Sequence, residues 1–330
     1  MCTPDIDCHN SCYASYSQQL SLCPCFEQET ITTTQISTTT TEILPIEPSD
    51  VFILVIPNLV DGSYLQSGDG SSQISATINA PRNDYASEAA HALVSGKLHI
   101  FGGDYDGTKI ARLDDCTLNE LTVRLNEERY YGQAALSIEN GTKALICFGI
   151  SGVNLKTCEI FDGSTTVSTF ASDSTHHRGG LGLYKNKPTS VGCYNERYQK
   201  AETLSASGWI ALPNHPKRVS VHSLVGLENQ SLLLIGGLDS GNGGAAQSGI
   251  WQLKNENWNK IGDLLQADYE GSAIYIGRSI YYFGYSYPYA SIERLDFNET
   301  EDLQNVELIG NQPGGFFLPV LFKTVSDYCI

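Results

Sequence analysis

Along most of this chain short apolar runs alternate with polar, glycine-rich turns, and one kind of run returns at a near-constant interval. Leu98-His-Ile-Phe-Gly-Gly103, Leu145-Ile-Cys-Phe-Gly149, Thr189-Ser-Val-Gly192, Leu232-Leu-Leu-Ile-Gly-Gly237 and Ile280-Tyr-Tyr-Phe-Gly284 each carry a strand-sized segment into glycine. Their first glycines, at 102, 149, 192, 236 and 284, are 47, 43, 44 and 48 residues apart, and a further step ends at Asp327-Tyr-Cys-Ile330. A small alternating segment precedes each run, at 89–94, 133–138, 179–184, 221–227 and 271–276. A third segment follows a polar loop, at 110–113, 157–161, 201–204, 249–253 and 291–295, and a fourth closes the unit, as in Gly208-Trp-Ile-Ala-Leu-Pro213 and Asn257-Trp-Asn-Lys-Ile261. Alternation with a period of two predicts strands, and helix-period stretches are almost absent. Four-stranded units that cannot bury both faces alone stack radially, so the pattern predicts an all-β chain folded as a β-propeller.

The repeats resemble the Kelch repeat. Kelch blades run a hydrophobic strand into a diglycine, then place an aromatic with an acidic neighbour in the third strand and a Trp in the fourth. This chain has Gly102-Gly103 and Gly236-Gly237, Glu159-Ile-Phe-Asp-Gly163 and Arg294-Leu-Asp-Phe297, and Trp209 and Trp258. It departs from the pattern where three of the five units keep one Gly of the pair and where units 1, 2 and 5 lack the fourth-strand Trp. The resemblance covers about residues 50–330 and implies a Kelch-type propeller; five units and a split closing one give six blades, with a split seventh as the alternative, and a propeller fold does not fix a function.

The sixth blade is expected to be split between the chain ends. Phe316-Phe-Leu-Pro-Val-Leu-Phe322 and 326–330 would supply its first two strands. Asn58-Leu-Val-Asp-Gly-Ser63, which echoes Glu159-Ile-Phe-Asp-Gly-Ser164, and 73–78 would supply the rest. Such a seam removes open sheet edges. Cys147 and Cys158 fall in the second and third strands of one blade, and antiparallel counting sets them opposite each other, which predicts a disulfide. Cys116, Cys193 and Cys329 find no partner from sequence.

Cysteine use and charge then bear on compartment. Ten Cys is an even number and high for a reduced compartment, and five of them, Cys2, Cys8, Cys12, Cys23 and Cys25, crowd together. Residues 1–28 read as a small Cys-rich disulfide module and 29–49 as a Thr-rich linker, ahead of the propeller at 50–330. The cysteine spacing lacks close-set ligand pairs, so no metal is expected. Because five is odd, a bridge to the body or to another chain is expected, the latter giving a disulfide-linked oligomer. Asn140, Asn229 and Asn298 stand in N-x-Ser/Thr sequons and are the expected N-glycosylation sites. These features predict a secreted, extracellular protein. Residues 1–25 lack the features of a signal peptide, so the chain is expected to be a mature or excised form with Met1 added. The longest apolar run, 51–57, is strand-sized, so no membrane span is expected. With 20 basic and 37 acidic residues the net charge is −17, which repels phosphate backbones and argues against nucleic acid as a partner.

In a propeller the loops joining strands 2–3 and 4–1 share one face, and the 1–2 and 3–4 turns share the other. All three sequons fall on the second face, which leaves the first free to bind. That face is expected to carry Tyr105, Tyr130, Tyr131, His176, His177, Arg178, His215, Arg218, Tyr269, Tyr285, Tyr287 and Tyr289, together with a flexible segment at 237–249. Tyr, His and Arg offer large contact areas with polar handles. The function expected is a non-catalytic scaffold binding an extracellular protein or glycan, without a cofactor. One alternative is a copper-radical oxidase similar to galactose oxidase, which holds copper with two Tyr and two His, one Tyr cross-linked to Cys. Here the neighbours Cys193 and Tyr194 would point to opposite faces of a strand. A further alternative is an intracellular Kelch substrate adaptor.

Overall fold

The structure is a computed structural model that describes residues 46–153, 155–286 and 290–330. The proposed Cys-rich module and all but the end of the Thr-rich linker lie outside the described residues. Among these residues the chain forms six antiparallel sheets in a ring, a six-bladed β-propeller. Blade 1 comprises strands Ala90–Val94, Lys97–Phe101, Ile110–Asp114 and Thr117–Glu120. Blade 2 comprises Gln133–Ile138, Lys143–Phe148, Cys158–Phe161 and Thr166–Thr169, and blade 3 Gly182–Tyr184, Lys187–Val191, Ala201–Ser205 and Gly208–Leu212. Blade 4 is built on Ser223–Gly226, Leu232–Ile235, Ala245–Lys254 and Asn257–Asp268, and blade 5 on Ser272–Ile276, Ser279–Phe283, Ser291–Phe297 and Leu303–Asn311.

The closing blade is split, but not as the sequence suggests. Its order is Val320–Thr324, Phe52–Ile56, Tyr64–Ser67 and Gln73–Ser75, so the C-terminal part gives one strand and the N-terminal part three. The apolar run 51–57 is the second strand, pairing with Val320–Thr324 on one side and Tyr64–Ser67 on the other. Residues 58–63 lead into the third strand through a single 3-10 turn at Val60–Gly62. The stretch 326–330 is a turn, held by a disulfide from Cys329 to Cys116.

The apolar side chains make six seams between neighbouring blades. The second strands explain why: they are apolar on both faces, and alternate residues enter opposite seams. Ile53 and Val55 pack against blade 5 with Tyr281 and Phe283, while Leu54 and Ile56 pack against blade 1 with Leu98 and Ile100. In blade 2, Ala144 and Ile146 face blade 1, and Leu145 and Cys147 face blade 3. Cys147 pairs directly with Cys158 in the strand register and is disulfide-bonded to it, with Cα atoms 4.2 Å apart.

The repeat is more regular in space than in its glycines. Gly102 and Gly103 have φ of 61° and 100°, and Gly236 and Gly237 have 66° and 98°. In blade 2 the matching pair is Phe148 and Gly149, at 65° and 101°, so Gly149 stands in the second place, not the first. A Cβ on Gly103 would lie 2.5 Å from the Ser87 carbonyl and one on Gly237 2.7 Å from that of Ser220, which is why the second place needs glycine.

With that phase, the third-strand residue opposite the position two before the turn is Glu159 in blade 2, Glu202 in blade 3 and Glu293 in blade 5. Each is buried and accepts backbone N–H groups from the segment entering its blade: Asn126 for Glu159, Asp173 and Ser174 for Glu202, and Leu265 for Glu293. These carboxylates clamp one blade to the next with charge-assisted hydrogen bonds.

Candidate functional site

Just before its innermost strand, every blade turns sharply through one residue in the left-handed region. These are Glu88, Gly132, Arg178, Val221, Glu270 and Leu318, with φ between 45° and 62°. They form a collar around the mouth of the axial channel. Arg178 N–H donates to the Gly132 carbonyl at 3.0 Å, Val221 to Arg178 at 2.8 Å, Glu270 to Val221 at 3.0 Å and Leu318 to Glu270 at 2.7 Å. The Gln133 side-chain amide reaches the Glu88 carbonyl at 2.6 Å. Below the collar the channel has a volume of about 210 Å³, lined by the inner strands of the blades.

The collar alternates in chemistry. Blades 1, 3 and 5 place Glu88, Arg178 and Glu270 there, and blades 2, 4 and 6 place Gly132, Val221 and Leu318. Arg178 donates through Nη2 to Glu88 Oε1 at 2.8 Å and through Nη1 to Glu270 Oε1, so one guanidinium joins three alternate blades. Burial pushes the Glu88 carboxyl pKa up, with the Arg178 charge opposing it. Its Oε2 is buried and has no hydrogen-bond partner. Non-glycine residues held left-handed cost of order 1 kcal/mol each, and such outliers cluster at functional sites.

Above the collar lies a pocket of about 600 Å³. The inter-blade crossings provide Tyr131, His177, Arg178, Tyr269 and Glu270, and the 2–3 loops provide Ile150, Tyr194, Asn195, Leu238, Gly244 and Ala246. Burial first, and then the Arg178 charge, pushes the His177 pKa down to about 4, so its ring is neutral at pH 7. Asp104 lies close enough to the Tyr131 phenol to raise its pKa. The 237–249 segment forms one wall of the pocket through Leu238, Gly244 and Ala246. Leu238–Asp239 pairs with Val219–Ser220 and with Ala245 and Ala246, and Asp239 Oδ1 accepts the Gly241 N–H at 2.9 Å.

Of the residues expected on the binding face, the pocket brings together Tyr131, His177, Arg178 and Tyr269. Tyr285 stands edge-on behind Tyr269, their centroids 5.7 Å apart. Tyr105 is occupied outside the pocket, under the Arg82 guanidinium and beside Tyr85. Tyr130 packs its ring on Gly107, and Arg218 is exposed beside Gly241. Two histidines stay out of reach. His176 is fully buried, with Nδ1 at 2.9 Å from the Gly192 carbonyl and its ring against Phe148 and Tyr198. His215 is wedged edge-on between Trp251 and Trp258, its pKa pushed down to about 4 by burial. Tyr287 and Tyr289 lie outside the described residues.

Glu88, Glu270, Tyr194 and Asn195 were not anticipated. The collar positions share a backbone conformation and an interval but no residue type, so the recurring spacing was their only signal. Cys193 is buried and Tyr194 exposed, but they are not strand neighbours as expected: the strand ends at Val191 and Tyr194 lies in the turn that follows. Among the described residues no three His, Cys, Asp or Glu side chains are grouped to hold a metal ion.

On the opposite face, Asn140 and Asn229 lie in the 1–2 hairpins of blades 2 and 4, and Asn298 in the 3–4 turn of blade 5. The latter two are neighbours: Glu301, in the Asn298 turn, accepts the Glu228 and Asn229 backbone N–H groups.

No family model matches the chain, and no curated protein matches it. Among solved structures it is similar to one titled "Structure of YjhT", with a TM-score of 0.61 and 14% identity over 79% of this chain and 96% of that one. At that identity the likeness is one of fold. The class is a six-bladed β-propeller, a fold consistent with a binding scaffold. The two disulfides among the described residues are compatible with an extracellular protein, and no described helix is long and apolar enough to cross a membrane.

Proposed function

We infer that the chain is a divergent Kelch-type propeller that acts outside the cell as a non-catalytic scaffold, binding a protein or glycan through the face that carries the mouth pocket. The observation that carries this reading is the collar. Three charged side chains from alternate blades are held in a strained conformation at the floor of a tyrosine-rimmed pocket, on the face opposite the sequons. The diglycines at 102–103 and 236–237, and the clamp at Glu159, give physical reasons for the Kelch-like residues. Glycans on Asn140, Asn229 and Asn298 would cover the other face, and the odd N-terminal cysteine would link the scaffold to a second chain. An oxidase of the galactose-oxidase type fits less well, because His176 and His215 serve core packing.

The test is adhesion of the full chain to cell surfaces and extracellular matrix. Tyr131→Ala with Tyr194→Ala should abolish it, and Lys187→Glu, on the opposite face, should leave it intact. Adhesion lost only in the Lys187 variant would place the binding face on the wrong side.

A further inference from the structure

We propose that the mouth pocket takes an uncharged sugar ring, a neutral hexose or N-acetylhexosamine at the end of a glycan. The proposal rests on the reading of this face as the binding face and names its ligand class. A pyranose presents a flat C–H surface and a rim of hydroxyls that each donate and accept. Tyr131 and Tyr194 are 43% and 45% exposed on different blades, both at the pocket, and their rings are suited to stacking on such a surface.

The floor supplies the polar half. Arg178, Glu270 and Asn195 line the pocket as polar groups able to meet hydroxyls, and Glu88 lies at the top of the channel just beneath them. Glu88 Oε2 stands at the head of the channel on a side chain only 8% exposed, an acceptor without a donor. Buried acceptors are rarely left unmatched, and a ligand hydroxyl would satisfy this one.

Charge narrows the class. An anionic sugar would face Glu88, Glu270 and the Asp104 carboxylate, on a chain of net charge −17. A cation would face Arg178, which already sits between the two glutamates. A neutral polyhydroxyl ligand meets neither penalty. The volume of about 600 Å³ lies in the range of small-ligand sites.

The experiment is binding of the full chain to immobilised glycans that share a scaffold and differ in the terminal residue: neutral, sialylated, sulfated or amine-bearing. Neutral termini should be retained, and Tyr194→Ala, at an exposed position that should not disturb folding, should weaken them about tenfold. Glu88→Gln should weaken binding while circular dichroism and the thermal midpoint report an intact ring. Retention of only sialylated, sulfated or amine-bearing termini, or of no glycan, would overturn the sugar class. If cell adhesion still depended on Tyr131 and Tyr194 in that case, the binding face would stand with a protein ligand. Adhesion indifferent to both tyrosines would sink the face itself.

Discussion

Cys329 is disulfide-bonded to Cys116, 213 residues away, across the boundary between the closing blade and blade 1. The bond fastens the turn after the only strand that the C-terminal part contributes to blade 6, and the Cys329 carbonyl accepts the Thr77 N–H at 2.7 Å nearby. Five residue pairs in antiparallel register join Val320–Thr324 to Phe52–Ile56, so the strand seam and the disulfide close the ring together.

A disulfide that closes a long loop removes more freedom from the unfolded chain than one that closes a short loop. The 147–158 bridge spans only 11 residues, so the chain-entropy argument favours the 116–329 bridge by about 2 to 3 kcal/mol. Cys116→Ala with Cys329→Ala should therefore lower the urea midpoint more than Cys147→Ala with Cys158→Ala. Equal losses in equilibrium unfolding would mean that the strand seam alone closes the ring.

Glu159 and Arg129 are a fully buried pair, 1% and 0% exposed. Arg129 also donates through Nη1 to the Phe148 carbonyl at 2.6 Å and the Thr157 carbonyl at 3.1 Å. Glu159→Ala leaves the guanidinium buried without its counter-charge and should cost about 3 to 5 kcal/mol. Glu159→Leu with Arg129→Met should recover much of that loss, because the desolvation of both charges disappears. A single mutant within 1 kcal/mol of wild type in urea unfolding would remove the clamp from the account of blade docking.

The architecture was legible because its cause is local. Period-two alternation in the innermost strands and a glycine after the second strand are written into blades 1 to 5, and the 147–158 pairing followed from counting along an antiparallel hairpin. The closing blade was misassigned because 326–330 has strand-like composition but is fixed by Cys116, a contact without local signature. Blade 2 was out of phase by one residue because Phe148 adopts the left-handed conformation that elsewhere marks a glycine. His176 and His215 looked like surface residues because proline, lysine and histidine neighbours suggest exposure. Their burial depends on rings at Phe148, Trp251 and Trp258 that only the folded ring brings near.

Burial makes the fold sensitive to acid. His177 and His215 have pKa values pushed down to about 4 and His222 to about 3, against 6.5 when unfolded. Between pH 6.5 and about 4 the unfolded chain binds protons that the folded chain refuses. Their contribution to stability is complete above pH 6.5 and is lost as pH falls towards 4. The raised carboxyls of Glu88, Asp268 and Glu293 act in the opposite direction, as burial favours their protonated forms. The histidines begin to act at higher pH, so the urea midpoint should fall between pH 7 and pH 5. His215→Phe, which keeps an aromatic edge between the two tryptophans, should flatten that slope by up to one proton, about 1.4 kcal/mol per pH unit. A midpoint unchanged from pH 7 to pH 5 would contradict neutral burial.

Asp268 positions the pocket wall without lining it. It is 2% exposed, and it accepts the backbone N–H of Tyr269 at 2.7 Å and of Tyr285 and Ser286 at 2.9 Å, with the Ser286 hydroxyl at 2.7 Å. An amide cannot accept at all four positions, so Asp268→Asn should free the 285–286 loop and the Tyr269 ring that rests on it. The expected outcome is loss of about 1 to 3 kcal/mol in stability and faster hydrogen exchange confined to 269 and 285–286. Exchange that rises evenly around the ring would assign Asp268 to global stability only.

Cysteine arithmetic gives the last expectation. Four of the five propeller cysteines bond to one another, and the fifth, Cys193, is a free thiol with no exposed surface, 3.5 Å from the Thr175 hydroxyl. Cys2, Cys8, Cys12, Cys23 and Cys25 are therefore left an odd set. Two bridges use four of them, and the remaining thiol must stay free or bond outside the set; in an oxidising compartment it should bond to a second chain. Non-reducing electrophoresis should show a dimer that reductant converts to monomer, and Cys193→Ser should leave that dimer intact. A monomer in which one N-terminal cysteine reacts with maleimide under native conditions would refute the link. Loss of the dimer in Cys193→Ser would instead mean that the propeller opens far enough to expose its buried thiol.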